Sequence, residues 1–175
     1  MKNTKLKKIV YISLLVSTLC VICPFSINIG PIPFSLATLF IMLYATLFDL
    51  TISVSTVIIY ILLGCVGLPV FSGGVGGIQK IFSPTGGFII GYIFLCLIIA
   101  LFYNKSKNVF YKIFILICAN FILYSIGVMY FIIITNNTFL VALSLCVFPF
   151  LLTDAIKIIL VINISKWIKS RLSPK

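Results

Sequence analysis

The sequence predicts an all-α integral membrane protein with six transmembrane helices, and three observations carry that expectation. Mean hydropathy is +1.32 and 62% of the residues are hydrophobic, a composition outside that of water-soluble domains. Apolar runs near the ~20 residues needed to cross a bilayer recur along the whole chain. The basic residues stand at the two ends and in one short loop, not interleaved with a polar surface, as topology signals do. With 175 residues, a single transmembrane domain over 1–175 is expected. The net charge of +11 is therefore read as membrane charge bias and not as a nucleic-acid footprint.

The elements follow in order. A basic MKNTKLKK precedes an apolar run from Ile9. No small-x-small cleavage site follows it, and neither Cys20 nor Cys23 has the small residue before it that a lipoprotein site needs. An uncleaved first helix over about 9–29 is expected, broken by Pro24 and the Gly30-Pro31-Ile32-Pro33 turn. A second helix, about 34–48, ends at Asp49; a third, about 50–66, ends at Gly67-Leu68-Pro69. The fourth and fifth cover about 86–103 and 109–134. The stretch from Phe139 to Ile168 would make a helix of about 45 Å, too long for a ~30 Å hydrocarbon core. Pro149 cannot continue a helix without losing a hydrogen bond. The stretch is therefore divided into a short segment to Val147 and a sixth helix over about 153–170. Thr153 would be its N-cap, with Asp154 at the positive end of the helix dipole.

Six spans put both termini on one side, together with the Asn104–Asn108 connection. Lys2, Lys5, Lys7, Lys8, Lys105, Lys107, Lys112, Lys166, Lys169, Arg171 and Lys175 all then fall there, so that side is read as the cytoplasm. The exceptions are Lys80 and Lys157. Asp154 would lie near the outer leaflet and Asp49, the only other acid, near the cytoplasmic face. That separation excludes a two-aspartate intramembrane protease, whose carboxylates share one site. With no histidine and one isolated C-x-x-C at Cys20 and Cys23, no metal site is expected, and the six cysteines are read as packing residues. No catalytic residues are expected.

Polar chemistry thus concentrates on Asp154 and Lys157. A charge bare in lipid costs roughly 2.5–3.5 kcal/mol even on insertion scales, so this pair needs partners, a cavity or a ligand. As neighbours at i and i+3 they can neutralise each other. A second concentration is the loop from Gly67 to Tyr92, with Gly73, Gly74, Gly76, Gly77, Gly86 and Gly87 inside it. It matches neither G-x-x-x-x-G-K-[ST] nor G-x-G-x-x-G, so it is read as a tight outer turn able to fold over a pocket mouth near Asp154. Gly87-x-x-x-Gly91 is read as close helix packing.

Four separated segments now form a pattern: PIPFSLATLF (Pro31–Phe40), GLPVFSGGVGG (Gly67–Gly77), SPTGGFIIGY (Ser83–Tyr92) and PFLLTDAIK (Pro149–Lys157). In this order and spacing they resemble the BioY family, the biotin-binding S-components of energy-coupling factor (ECF) transporters. The resemblance implies the ECF S-component fold and a multi-pass protein of a bacterial-type plasma membrane. It implies biotin as ligand, no cofactor, and a transmembrane coupling protein with two ATPase subunits as partners. Asp154 and Lys157 fall on the family's D-x-x-K pair, which contacts the biotin head group. Phe71, Gly73, Gly74 and Gly77 fall on the loop that covers the ligand, while Tyr92 and Tyr124 are expected to pack on its bicyclic ring. Ser13 and Ser17 match the small residues that dock the first helix on the coupling protein, although both could equally bond their own helix carbonyls. Departures are Thr153 for Gly, Ala37 for Gln, and Lys80 and Ser83 where small or apolar residues and Gly are usual. The chain has no Walker motif, so ATP hydrolysis is expected in separate subunits. An S-component for thiamine or riboflavin is the nearest alternative, and a structural membrane protein the next; a single intramembrane charge pair argues against a channel.

Overall fold

Apolar helices dominate the computed structural model, which describes residues 2–28 and 32–172. Helix α1 (Lys2–Ile22) leads into an antiparallel pair of three-residue strands, β1 (Ser26–Asn28) and β2 (Pro33–Ser35), with Ile27 opposite Phe34. Then follow α2 (Ala37–Leu47), α3 (Leu50–Val66), α4 (Gly86–Phe102), α5 (Val109–Thr135), α6 (Phe139–Cys146) and α7 (Phe148–Leu172). Among the described residues, three segments are long and apolar enough to cross a membrane: Gly86–Lys105, Val109–Thr135 and Phe148–Arg171. Helices α2 and α3 are apolar but shorter, at 11 and 17 residues. At about 1.5 Å per residue α2 is only about half a hydrocarbon core long.

Helix α4 is the centre of the bundle, packed on α5, α3 and α2. Its glycines explain the approach. A Cβ on Gly87 would enter the Tyr130 side chain, one on Gly91 would enter Leu123, and on the facing helix one on Gly127 would enter the Phe88 ring. Glycine at these three positions lets α4 and α5 close on each other, as small residues do where helices pack tightly in lipid.

Two boundaries differ from the sequence expectation for physical reasons. The first helix starts at Lys2 and ends at Ile22 instead of spanning 9–29, because the chain turns at Cys23-Pro24 and becomes strand. Strand pairing likewise takes Phe34 and Ser35 out of the second helix. Gly30 and Pro31 of the expected turn, and residue 29, lie outside the described residues. The larger difference is at α7, which begins at Phe148 and not near Thr153. Pro149 sits in the first turn, where a helix N–H has no intrahelical partner and a proline's missing N–H costs nothing. Thr153 is consequently interior and not an N-cap, its Oγ1 donating to the Phe150 carbonyl at 2.8 Å. Asp154 falls in the second turn, with no acidic residue in the first, so side chains and not the helix dipole must hold its charge.

The connection between α3 and α4 folds back onto the bundle. Gly67 caps α3 at φ 114°, its N–H reaching the Gly64 and Leu63 carbonyls. Phe71 is 1% exposed, seated edge-on to Tyr60 with centroids 5.8 Å apart, above Gly64, where any Cβ would strike its ring. Tyr60 Oη donates to the Val70 carbonyl at 3.0 Å. Backbone bonds from Gly73 N–H to Pro24 O (3.1 Å) and from Gly77 N–H to Gly64 O (2.7 Å) fasten the loop at both ends.

Candidate functional site

Asp154 and Lys157 face inward from α7 and are 7% and 6% exposed. Lys157 Nζ lies 3.0 Å from Asp154 Oδ1, the one ion pair among the described residues. The other carboxylate oxygen, Oδ2, accepts from the Tyr124 hydroxyl on α5. Lys157 also donates to Thr38 Oγ1 at 2.8 Å and to the Ser35 carbonyl at 3.3 Å. Its ammonium stands 4.7 Å from the Phe34 ring centroid, within cation–π range. An ammonium has three donors, and Asp154, Thr38 and Ser35 occupy all three. Asp154 keeps lone pairs to spare, since a carboxylate offers about four acceptor sites. Asp154 therefore keeps acceptor capacity at this end, whereas the Lys157 donors are engaged.

The pair lies on a cavity of two lobes. The first, with an empty volume of about 410 Å³ including its mouth, is lined by Ser35, Thr38, Tyr92, Leu123, Tyr124, Cys146, Phe150, Asp154 and Lys157, with Ile32, Pro33 and Phe88 at its edge. The second, of about 360 Å³, shares Ile32, Pro33, Phe88 and Tyr92 and adds Tyr60, Phe71, Ser72, Lys80, Thr85 and Ile89. The shared residues form an apolar waist between two polar ends. A cleft of this kind, with few polar groups in mostly apolar walls, is the form of a small-molecule site.

Of the residues singled out in the sequence, Asp154, Lys157, Tyr124, Tyr92 and Phe71 converge on this cavity. Phe88 meets the Tyr124 ring edge-on, with centroids 6.4 Å apart. Gly73, Gly74 and Gly77 do not line it: they shape the loop, with φ values of 85°, 67° and 103°, and leave Phe71 and Ser72 to touch the lobe. Ser13 and Ser17 lie on an exposed face of α1 and bond back to Ile9 O and Ser13 O at 2.9 and 2.8 Å. Ala37 is buried but lines neither lobe, whereas Lys80 lines the second. Ser83 Oγ donates to the Lys80 carbonyl at 2.6 Å. Sequence reasoning missed Thr38, Ser35, Phe34, Phe88, Cys146 and Phe150. Ser35 and Thr38 were within reach as the two hydroxyls of an otherwise apolar PIPFSLATLF. Among the described residues no group of three His, Cys, Asp or Glu could hold a metal ion.

A sequence profile described as the BioY family matches residues 1–174. The chain belongs to the BioY family. A biotin transporter of that family from Lactococcus lactis subsp. cremoris, named BioY2, is 34% identical over 162 residues, covering 92% of this chain and 89% of the relative. The Thermotoga maritima biotin transporter BioY is 35% identical over 103 residues, 59% of this chain and 61% of its own length. Among solved structures, the crystal structure of the S-component for biotin from an ECF-type ABC transporter superposes with a TM-score of 0.89. The identity is 26%, over 97% of this chain and 94% of that one. The fold is thus that of an ECF S-component, and this BioY family member is a transporter-type membrane protein rather than an enzyme.

Proposed function

We propose that the chain binds biotin and carries it into the cell as the S-component of an ECF-type transporter. The carrying observation is the buried Asp154 carboxylate, held by Lys157 and Tyr124 at one end of an elongated apolar cavity. Biotin has complementary chemistry: ureido N–H donors at one end, an apolar bicycle, and a valerate chain ending in a carboxylate. Asp154 has spare lone pairs for the ureido N–H groups, and such charge-assisted bonds strengthen in a poorly solvated pocket. Tyr92 and Phe88 at the waist would take the ring faces, and Phe71 would close the loop side. Lys157, with its donors already engaged, would serve first to pair with Asp154 and to tie α7 to α2; contact with the ureido oxygen requires it to release one partner.

The topology that goes with this reading has six membrane segments in a bacterial-type plasma membrane, with both termini cytoplasmic. The distribution of eleven of the thirteen basic residues supports it. The exposed Ser13–Ser17 face of α1 would meet the coupling protein, and two ATPase subunits would supply the energy. Equilibrium binding of the purified chain to biotin, desthiobiotin, thiamine and riboflavin tests the reading. Biotin and desthiobiotin, which share the ureido group, are expected to bind more than about 100-fold more tightly than the other two, since buried polar groups left unpaired penalise the wrong ligand. Equal or tighter binding of thiamine or riboflavin contradicts it.

A further inference from the structure

Lys80 and Lys157 are the two basic residues that the charge bias leaves on the far side of the bundle, and both reach the same cavity. Their situations differ. Lys157 is matched by Asp154, whereas Lys80 has no ion-pair partner among the described residues. It is half-buried at the second lobe, across the apolar waist from Asp154.

The backbone that carries Lys80 is closely held. A single helical turn, Ile78–Lys80, is fixed by Lys80 N–H donating to Gly77 O at 3.0 Å and by the Lys80 carbonyl accepting from Ser83 Oγ at 2.6 Å. Tyr130 Oη on α5 donates to the next carbonyl, Ile81 O, at 2.8 Å. Behind it, Gly86 leaves room for the Ile81 carbonyl, which any Cβ there would strike. So the turn is clamped between α4 and α5, and the lysine it carries is an unneutralised cation placed at a cavity wall. Hydroxyls of Ser72 and Thr85 line the same lobe.

The two lobes thus carry opposite charge types: Asp154, paired with Lys157, lines one, and Lys80, with no ion-pair partner among the described residues, lines the other, with aromatic and aliphatic residues shared between them. Resting on the biotin reading above, we propose that Lys80 is the specificity residue for the far end of the ligand, receiving its terminal carboxylate while Asp154 receives the ureido N–H groups. The ligand then supplies the anion that the protein lacks at this point. A neutral analogue with the same ring would satisfy Asp154 but leave the ammonium unmatched. A positive charge beside an apolar wall gains from a carboxylate, and charge-assisted bonds of this kind are worth about 10- to 100-fold in affinity.

Equilibrium binding of biotin and of biotinol, in which a neutral hydroxyl replaces the carboxylate, to the full-length purified protein tests this. The wild type is expected to prefer biotin by about tenfold or more, and K80M to lose that preference to within about threefold while holding biotinol as the wild type does. K80R is expected to keep it. Thermal unfolding is expected to be near wild type in both, because the Lys80 side chain makes no hydrogen bond among the described residues; K80Q replaces K80M if that variant does not fold. A preference that survives in K80M, or a loss shared equally by biotin and biotinol, overturns the assignment. If wild type binds neither compound, the biotin reading itself fails and this assignment falls with it.

Discussion

The two ends of the cavity are built in opposite ways. At the α7 end the charged groups are buried and engaged: Asp154 with Lys157 and Tyr124, and Lys157 with Thr38 and Ser35 besides. These contacts join α2, α5 and α7, so the geometry of the acceptor is fixed before any ligand arrives. The loop end rests on a glycine-rich segment with exposed Gly73 and Gly74 at positive φ, a buried Phe71 plug and an unmatched lysine. Preorganisation at one end and backbone freedom at the other suit a site that must admit its ligand and then cover it. The difference also says where energy resides: substitutions at the α7 end are expected to strike stability and affinity together, and those in the loop mainly affinity.

The strongest way to break that contrast is at Lys157. Lys157→Ala leaves the Asp154 carboxylate buried without its counter-charge, which costs roughly 3–5 kcal/mol. Thermal unfolding should show a large loss, and the double variant Asp154→Asn/Lys157→Met should recover most of it while binding biotin at least about tenfold more weakly than wild type. If the single and double variants unfold alike, the pair is not the buried, mutually dependent unit described here. Tyr124→Phe comes next. It removes one bond to the carboxylate, worth about 1.5–3 kcal/mol, and titration should show biotin affinity lowered by about 10- to 100-fold with the fold intact.

A smaller effect is expected in the loop. Gly74→Ala meets open space but keeps φ at 67°, a conformation that costs a non-glycine residue roughly 1–2 kcal/mol. Stability should fall by no more than that strain, and biotin affinity by no more than about tenfold; a loss of stability like that of Lys157→Ala would erase the distinction between the two ends. The smallest belongs to Thr153→Ala. Because Thr153 Oγ1 only bonds back to Phe150 O, neither stability nor affinity should move measurably. A loss of about 1 kcal/mol would restore its role as a helix cap.

Much of this was legible in the sequence because lipid makes charge scarce. With two acids in 175 residues, Asp154 could only be structural or functional, and the i, i+3 spacing named its partner. The central helices were equally readable: α3, α4 and α5 lie within a residue or so of their expected bounds, since Gly67, Gly86 and the Asn104–Asn108 polar stretch are unambiguous punctuation. Pro149 misled because a proline stops a helix from inside but starts one from its first turn, and sequence alone does not say which side it stands on. Thr38 was missed because a threonine in an apolar helix usually bonds its own backbone; only the packing of α2 on α7 turns it into a partner of Lys157. The glycines were placed correctly on the loop, yet their role is to steer Phe71 and Ser72 inward, and that depends on backbone angles that composition does not specify.

The central claim is that the Asp154 carboxylate accepts the ureido N–H groups of the ligand. Its most direct test is a cycle of four binding constants: wild type and Asp154→Asn, each with biotin and with biotin methylated at a ureido nitrogen. Removing either the carboxylate or the N–H is predicted to cost about tenfold or more, and removing both to cost little beyond the larger single loss. Losses that multiply independently would contradict the contact, and with it this account of how the cavity reads its ligand.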